Sequence, residues 1–393
     1  MSSAPPARTG AQLPSPSPEA KAHSERVIAH LAGEIESAGG WISFAEYMGE
    51  ALYAPGLGYY AAGSRKFGPE GDFVTASELT PLFGCVLAAQ LAQVLREAGG
   101  SIIELGPGSG RLAGDVLAAL AAQSQLPERY LLLETSAELR ERQRRHLAKA
   151  PAELRVRVDW IDRLPERWRG AVVANEVLDA VPPHLVGRRD GRWYERGVSV
   201  EQGELALADR PLGAGVLRDT AIARFPTDDD YLSELNPAAE ALVSTLAQRC
   251  ERGAMLLLDY GFPAAEYYHP QRSAGTVMTH YRHRALDDPL FLPGLCDLTA
   301  HVDFSAVAHA GVAGGMELSG YTTQARFLLN CGLLEALARC GDPQSAAYLR
   351  EAGAVQKLTS PAEMGELFKA IAFSRGIDAA LLGFAEGDRS HRL

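Results

Sequence analysis

Two acidic residues end strand-like apolar runs in this sequence, and the first of them precedes a glycine-rich loop. The run Ile102-Ile103-Glu104-Leu105 leads directly into Gly106-Pro107-Gly108-Ser109-Gly110. Alternate glycines let a backbone turn tightly and bring its N–H groups against a ligand. The dinucleotide fingerprint G-x-G-x-x-G requires a third glycine where this chain has Arg111. The loop therefore predicts a cofactor site at Glu104, Gly106, Gly108 and Gly110 that does not suit a nicotinamide, while a ligand-free tight turn stays open.

The second acid strengthens the case for a ligand. Tyr130-Leu131-Leu132-Leu133-Glu134 has the pattern of a buried strand that ends in a carboxylate, one helix after the glycine loop. An acid at the tip of the second strand of a nucleotide-binding α/β sheet hydrogen-bonds ribose hydroxyls, because a carboxylate accepts from both at once. Ser136 then predicts the N-cap of a charged helix from Ala137 to Lys149. We predict that Glu134 binds the cofactor ribose.

Polar groups also follow the next two predicted strands, at 155–160 and 171–175. Asp162 is predicted to accept a hydrogen bond from an adenine, with Trp160 either beside the base or in the core. Asn175 ends the fourth strand and is predicted to face the cofactor, because ligands of open α/β sheets bind at the carboxyl ends of strands.

Glu176 and Asp179 follow Asn175 and are three residues apart, which could place both on one face of a turn. Two carboxylates can hold a guanidinium in bidentate fashion, so both are predicted catalytic residues. The alternative is a helix start, where acids complement the helix dipole.

Strand and helix patterns alternate after about residue 99, which predicts an α/β fold with a mostly parallel sheet. We predict a disordered tail over 1–20, a helical extension with a cofactor lid over 21–98, and an α/β domain over 99–393 with an insertion at about 182–252. Ser43-Phe44-Ala45-Glu46 predicts a capping box, and 81–98 a long helix. Further helices are predicted over 304–310, 321–338 and 360–373.

Composition limits the possible functions. The chain has 393 residues, a net charge of −11, 47% apolar residues and no apolar run that approaches the ~20 residues of a membrane span. Its acidity, without a basic and aromatic run, disfavours nucleic acid as a partner. Five scattered cysteines indicate reduced thiols. The histidines at 280, 283, 301 and 309 lack a recognised ligand spacing, so no metal site is predicted.

The E-x-G-x-G-x-G loop resembles motif I of class I S-adenosylmethionine methyltransferases. An ordered set of further motifs resembles the MidA-like family, which comprises mitochondrial complex I assembly methyltransferases and their bacterial relatives. These motifs span about Ile42 to Phe373 and are Tyr47-Met48, Leu52-Tyr53, Pro55, Gly58-Tyr59-Tyr60, Gly71 to Ser77, Phe83-Gly84, Glu104 to Gly110, Asn175-Glu176, Asp179-Ala180, Pro182, Asp259-Tyr260-Gly261, Thr279-His280-Tyr281-Arg282, Asp297 to Phe304 and Thr323-Gln324.

The resemblance implies a class I methyltransferase fold, S-adenosylmethionine as methyl donor and a protein arginine as acceptor, with a respiratory complex I subunit as one expected client. The segment Gly71 to Ser77 is expected to fold over the cofactor, with Asp72 and Thr75 in contact with it. Because a clear transit peptide is lacking, we expect a bacterial cytoplasmic protein, with the mitochondrial matrix as the alternative. Two other functions stay open: an assembly factor that binds the cofactor without turnover, and a nicotinamide oxidoreductase.

Overall fold

A computed structural model describes residues 13–62, 75–226 and 230–393. The first elements are α1 (Pro18–Ser37), β1 (Ile42–Ser43), α2 (Phe44–Tyr53), α3 (Ala76–Leu79) and α4 (Pro81–Ala98). Ser43 and Glu46 form the predicted capping box at the start of α2. Helix α1 begins at Pro18 behind an N-cap at Ser17, so 18–20 are helical and do not belong to the predicted tail.

The first half of the large sheet follows directly. Its elements are β2 (Ser101–Leu105), α5 (Arg111–Ala122), β3 (Tyr130–Leu133), α6 (Ala137–Leu147), α7 (Ala152–Arg155), β4 (Val158–Ile161) and β5 (Trp168–Asn175). The strand predicted to begin at Arg155 begins at Val158, because Pro151 starts a short helix that takes up Arg155. Helix α4 packs with α5 against this sheet, so the predicted extension 21–98 divides between two cores.

The segment after β5 builds a second, antiparallel sheet. It contains β6 (His184–Arg189), β7 (Arg192–Glu201), β8 (Glu204–Pro211), α8 (Val216–Arg224), β9 (Tyr231–Leu235) and α9 (Pro237–Arg249). Strand β7 pairs with β1, and apolar residues of α1 and α2 pack against this sheet. Helix α9 packs instead on the large sheet through residues such as Val243 and Leu246. The inserted part therefore ends before α9, earlier than the predicted boundary at 252.

The remaining elements complete the large sheet. They are β10 (Cys250–Phe262), α10 (Ala264–Tyr267), β11 (Met278–Tyr281), β12 (Arg284–Leu286), β13 (Asp297–Thr299), β14 (Val302–Asp303), α11 (Phe304–Ala313), β15 (Glu317–Thr323), α12 (Gln324–Asn330), α13 (Leu333–Ala338), α14 (Ala346–Thr359) and β16 (Phe368–Arg375), before two short 3₁₀ helices (Leu382–Phe384 and Ser390–Arg392). The helix predicted over 304–310 is confirmed. The helix predicted over 321–338 is wrong in part, because β15 runs to Thr323 before α12 and α13. The helix predicted over 360–373 is wrong, because α14 ends at Thr359 and β16 begins at Phe368. Short apolar runs of this kind fit either structure.

The large sheet has the order β15-β16-β10-β5-β2-β3-β4, with β14 beside β10. Strands β10, β5, β2, β3 and β4 are parallel to one another, and β16 is antiparallel to both of its neighbours. This confirms the predicted mostly parallel α/β sheet. The chain reverses its winding between β2 and β5, the place where such sheets bind ligands. No helix in the described ranges has the length and apolarity needed to cross a membrane.

Candidate active site

A cavity of about 680 Å³ opens at the carboxyl ends of β2, β3 and β5. Its wall includes seven of the predicted site residues: Thr75, Glu104, Gly106, Gly108, Glu134, Asn175 and Glu176. Three further predicted residues, Gly110, Asp162 and Asp179, are not part of this wall, and Asp72 lies outside the described residues. The parallel sheet thus brings together groups that are up to a hundred residues apart in sequence.

The glycine loop takes backbone conformations that side chains disfavour. Gly106, Gly108 and Gly110 have φ values of 57°, 51° and 81°. A Cβ on Gly106 would lie 2.9 Å from a methyl of Val177, and one on Gly110 would lie 3.2 Å from the Gln143 side chain. Gly108 has the left-handed backbone and lines the cavity. Gly110 is the N-cap of α5, packs against Gln143 of α6 and is not part of the cavity wall, so its contact with the cofactor stays a prediction without support from this wall.

Glu104 is buried at the floor of the cavity. The Tyr130 hydroxyl donates a hydrogen bond of 2.7 Å to Glu104 Oε2. Burial raises the pKa of Glu104 to about 8, against the lowering effect of this bond. A buried acid of this kind gains most from a cationic ligand group, which would stabilise its charged form.

Glu134 is held in place by two donors. Its Oε1 accepts from the backbone N–H of Ser136 at 2.8 Å, and its Oε2 accepts from Gln143 Nε2 at 3.1 Å. Burial raises the pKa of Glu134. Each oxygen keeps acceptor capacity for a further donor, as ribose binding requires.

Gln143 was missed by sequence reasoning, although it is fully buried. Its Nε2 also donates to the carbonyl of Gly108 at 3.0 Å, and its Oε1 accepts from the Trp160 indole at 2.8 Å. The signal was present, because Leu139, Gln143 and Leu147 follow one another at i+4 spacing along the buried face of α6.

Asp162 is exposed and lines a different surface depression, of about 890 Å³, together with Arg140 and Arg249. Strand β4 ends at Ile161, and the Trp160 indole is committed to Gln143. The structure therefore does not bring Asp162 to the cavity, and its predicted contact with an adenine is not supported.

The turn after β5 presents Glu176. This residue has a left-handed backbone with φ 53°, and its N–H donates to the Leu258 carbonyl at 2.9 Å. Its Oε1 accepts from Asn175 Nδ2 and from the backbone N–H of Ala76, both at 3.0 Å. Burial raises its pKa to about 7. No helix begins here, so the helix-dipole alternative for Glu176 and Asp179 is wrong.

Asp179 lies behind the cavity wall. It is buried, its Oδ1 has no hydrogen-bond partner in the described part of the structure, and burial raises its pKa to about 6. The Tyr260 side chain acts against this rise of the pKa. Glu176 lines the cavity and Asp179 does not, so the pairing of the two acids on one acceptor stays a prediction.

Two tyrosines of the N-terminal part form the opposite wall. The rings of Tyr53 and Tyr60 are stacked with centroids 5.6 Å apart. The Tyr53 hydroxyl donates to the Ala180 carbonyl at 2.8 Å, and the Tyr60 hydroxyl donates to Asp297 Oδ1 at 2.9 Å. The motifs that contain these tyrosines were recognised in the sequence, but no role was predicted for them.

Helix α3 is fastened to the glycine loop. The Ser109 hydroxyl donates to Glu78 Oε1, and Arg111 Nη1 donates to the Glu78 carbonyl at 2.7 Å. Thr75 precedes α3, and its hydroxyl lies 3.0 Å from that of Ser77. Thr75, Ser77 and Glu78 therefore line the cavity beside the glycine loop, and contact of Thr75 with the cofactor stays a prediction.

Comparison with known proteins identifies the family. Residues 86–322 match the sequence profile described as "Putative S-adenosyl-L-methionine-dependent methyltransferase". The chain belongs to this family. It is the MidA-like family of the sequence resemblance, and its members use S-adenosylmethionine as cofactor.

Relatives cover nearly the whole of this MidA-like chain. It is 30% identical to the mitochondrial protein arginine methyltransferase NDUFAF7 homolog of Drosophila melanogaster, over 94% of this chain and 90% of that one. It is 31% identical to NDUFAF7 of Danio rerio, over 88% of this chain and 86% of the relative.

A crystal structure of a COG1565 superfamily member from Burkholderia thailandensis, bound to S-adenosyl-homocysteine, superimposes with a TM-score of 0.93. The two chains are 52% identical over 97% of this chain and 100% of that one. This similarity confirms the class I methyltransferase fold and argues against the nicotinamide oxidoreductase.

The charge of the cavity fits the cofactor. S-adenosylmethionine carries a sulfonium and an ammonium group, and a glutamate stands at five places of the wall: 78, 104, 134, 138 and 176. No lysine, arginine or histidine lines the cavity among the residues that the structure describes. Asn175 lies on this wall, and its buried Oδ1 has no hydrogen-bond donor in the described part of the structure. Within the same residues, no group of three or more His, Cys, Asp or Glu side chains could hold a metal ion.

Proposed function

We propose that this S-adenosylmethionine-dependent methyltransferase methylates an arginine side chain of a client protein. The observation that carries the proposal is the placement of Glu176, whose carboxylate stands in a cavity wall that contains no basic side chain in its described part. A cationic acceptor would find a negative partner there and no competing charge. The names of the NDUFAF7 relatives support arginine as the acceptor.

The chemistry explains why a carboxylate suits this position. The cofactor supplies a methyl group on a positively charged sulfur. Guanidinium is a weak nucleophile because its lone pairs are delocalised, and a carboxylate that binds two of its N–H groups draws the positive charge toward that side. Formation of the new C–N bond and cleavage of the C–S bond release one proton, and the pKa of Glu176, near 7, suits a group that receives it.

Residues of the N-terminal part and of the sheet both contribute to binding the acceptor. The bond from the Ala76 N–H orients the Glu176 carboxylate. The stacked rings of Tyr53 and Tyr60 line the cavity and can face a planar cation. The turn after β5 and the N-terminal segment must both be in place before an acceptor is held.

Client and compartment remain predictions. A complex I subunit as client rests on the family resemblance. The bacterial cytoplasm is supported by the similarity to the Burkholderia thailandensis protein.

The test uses an extract of a strain that lacks the protein, because its client is then unmethylated. Purified protein and S-adenosylmethionine with a labelled methyl group should label a discrete protein band, and mass spectrometry should find the label on an arginine. Label on another residue type would contradict arginine as the acceptor. A melting temperature raised by S-adenosyl-homocysteine without any labelled client would favour the assembly factor without turnover.

A further inference from the structure

We propose that Asp259 is a positioning residue: its buried carboxylate holds the turn that directs Glu176 into the cavity. Asp259 lies in β10, beside the end of β5, and it is 1% exposed. Its Oδ2 accepts the backbone N–H groups of Val177 at 3.1 Å, Leu178 at 2.8 Å and Asp179 at 3.3 Å. Its Oδ1 accepts the N–H of Tyr260 at 2.9 Å. The inference deepens the proposed function and rests on it where activity is concerned.

The turn needs such a partner because its backbone is unfavourable. A glutamate with φ 53° is conformationally unfavourable and persists only where surrounding contacts fix it. The three N–H groups that Asp259 binds follow Glu176 without a gap. A carboxylate is the acceptor suited to several converging N–H donors, since its two oxygens offer about four acceptor positions.

Burial of Asp259 beside a second acid is unfavourable for the free energy of folding, which argues against a role in stability alone. Burial raises its pKa well above the ordinary value, and the charge of Asp179 raises it further. The N–H groups of Tyr260 and Leu178 act in the opposite direction. A buried acid beside another acid is expensive unless hydrogen bonds compensate it, and such arrangements cluster at functional sites.

The turn connects the two halves of the cavity. Val177 packs against the glycine loop, where a Cβ on Gly106 would lie 2.9 Å from its methyl. Glu176 receives the N–H of Ala76 at the first position of α3. An N–H at the start of a helix has no partner within that helix, so its protection depends on Glu176. Exchange of the Ala76 amide hydrogen therefore reports whether Glu176 is in place.

The test compares Asp259→Ala and Asp259→Asn with matched changes at Asp303. Asp303 Oδ1 also accepts two backbone N–H groups, from Ser305 at 3.0 Å and Ala306 at 3.1 Å, but it caps α11 and does not line the cavity. Hydrogen exchange of Ala76, the affinity for S-adenosyl-homocysteine, the melting temperature, and the kcat and KM for S-adenosylmethionine are measured for each variant.

We expect Ala76 exchange to rise about tenfold in Asp259→Ala, the size expected for one lost hydrogen bond, and less in Asp259→Asn, whose amide oxygen still accepts. The kcat should fall about 10²-fold with an unchanged KM, as for a displaced reacting group. Asp303→Ala and Asp303→Asn should lower the melting temperature and leave Ala76 exchange and kcat unchanged. If Asp259→Ala fails to fold, the same measurements on Asp259→Asn test the proposal.

Unchanged Ala76 exchange and unchanged kcat in a folded Asp259 variant would overturn the proposal, whatever its melting temperature. If the wild-type protein methylates nothing, the proposed function fails. Exchange at Ala76 then still decides the role of Asp259, because that readout requires no acceptor.

Discussion

The two halves of the cavity are built in different ways. The half formed by the glycine loop, β3 and α6 comes from residues 104–143, and its hydrogen bonds join groups that are close in sequence. The half around Glu176 joins the turn after β5 to Tyr53 and Ala76, and joins Tyr60 to Asp297, through hydrogen bonds between residues a hundred or more positions apart. The first half is therefore a local motif that many sequences share. The second half depends on the whole fold, and we expect it to determine which acceptor is methylated.

The largest expected effect lies in the first half. Gly108→Val should abolish binding of S-adenosyl-homocysteine, because valine disfavours φ 51° and its side chain would enter the cavity wall. Calorimetry measures the binding and circular dichroism the fold. A folded variant with wild-type affinity would remove this loop from the cofactor site.

Glu176→Gln tests the second half. We expect the rate of methyl transfer to fall about 10²-fold, the usual cost of removing one charge-stabilising group, while the affinity for S-adenosyl-homocysteine stays near wild type. The amide keeps the size of the side chain and loses the negative charge.

Label transfer to the client band measures that rate. Weaker binding of S-adenosyl-homocysteine would show that Glu176 contributes to cofactor binding. An undiminished rate of methyl transfer would show that it has no role in the mechanism. Asp179→Asn and the double variant show whether the two acids act as a unit, since their losses would then be non-additive.

Glu134→Ala should weaken S-adenosyl-homocysteine binding by ~1.5–3 kcal/mol, the range for a hydrogen bond to a charged group. Calorimetry with a deoxyribose analogue gives the control. The analogue should lose less affinity on the variant than on the wild type, because the missing hydroxyl no longer has a partner to lose. Equal losses would show that Glu134 does not bind the ribose.

A smaller effect concerns pH and separates the halves. With a pKa of about 8, Glu104 is largely protonated in the free protein at neutral pH, and a ligand ammonium favours its charged form. The affinity for S-adenosyl-homocysteine should therefore rise with pH up to about 8, by at most tenfold per unit, with release of a proton. Calorimetry in buffers of different ionisation enthalpy detects that proton. Glu104→Gln should bind with no such pH dependence.

The smallest effect concerns stability. The pKa of Glu176 is raised from 4.5 to about 7 by burial, so the folded state binds more protons than the unfolded state between these values. The contribution of Glu176 to the free energy of unfolding therefore falls as the pH rises through this window, and is constant above it. Glu176→Gln lacks this contribution. Its free energy of unfolding in urea should therefore increase relative to that of the wild type as the pH rises from 4.5 to 7. A difference in the free energy of unfolding that does not change with pH would show that the pKa of Glu176 is not raised in the folded state.

Local patterns determined much of the fold. The capping box at Ser43 and the bounds of α4 follow from residues a few positions apart, and the structure confirms both. The glycine loop and the acid after β3 were also predicted, because class I methyltransferases place cofactor groups at fixed distances from strand ends. The strand β16 was missed, since a short run such as Ala370-Ile371-Ala372-Phe373 becomes a strand only through its pairing with β10 and β15.

What the sequence alone determined is the identity and order of four groups on the cavity wall: Glu104, Gly106, Gly108 and Glu134 lie next to their own strand ends, so spacing locates them. Only the tertiary structure decided which of the remaining groups reach the cavity. It placed Glu176 on the wall and Asp179 and Asp162 outside it, and it brought Tyr53, Tyr60, Gln143 and Asp259 to the site or to its neighbours. The physical reason is that a side chain's direction after a strand depends on the turn, and that turn is fixed by hydrogen bonds from residues far along the chain.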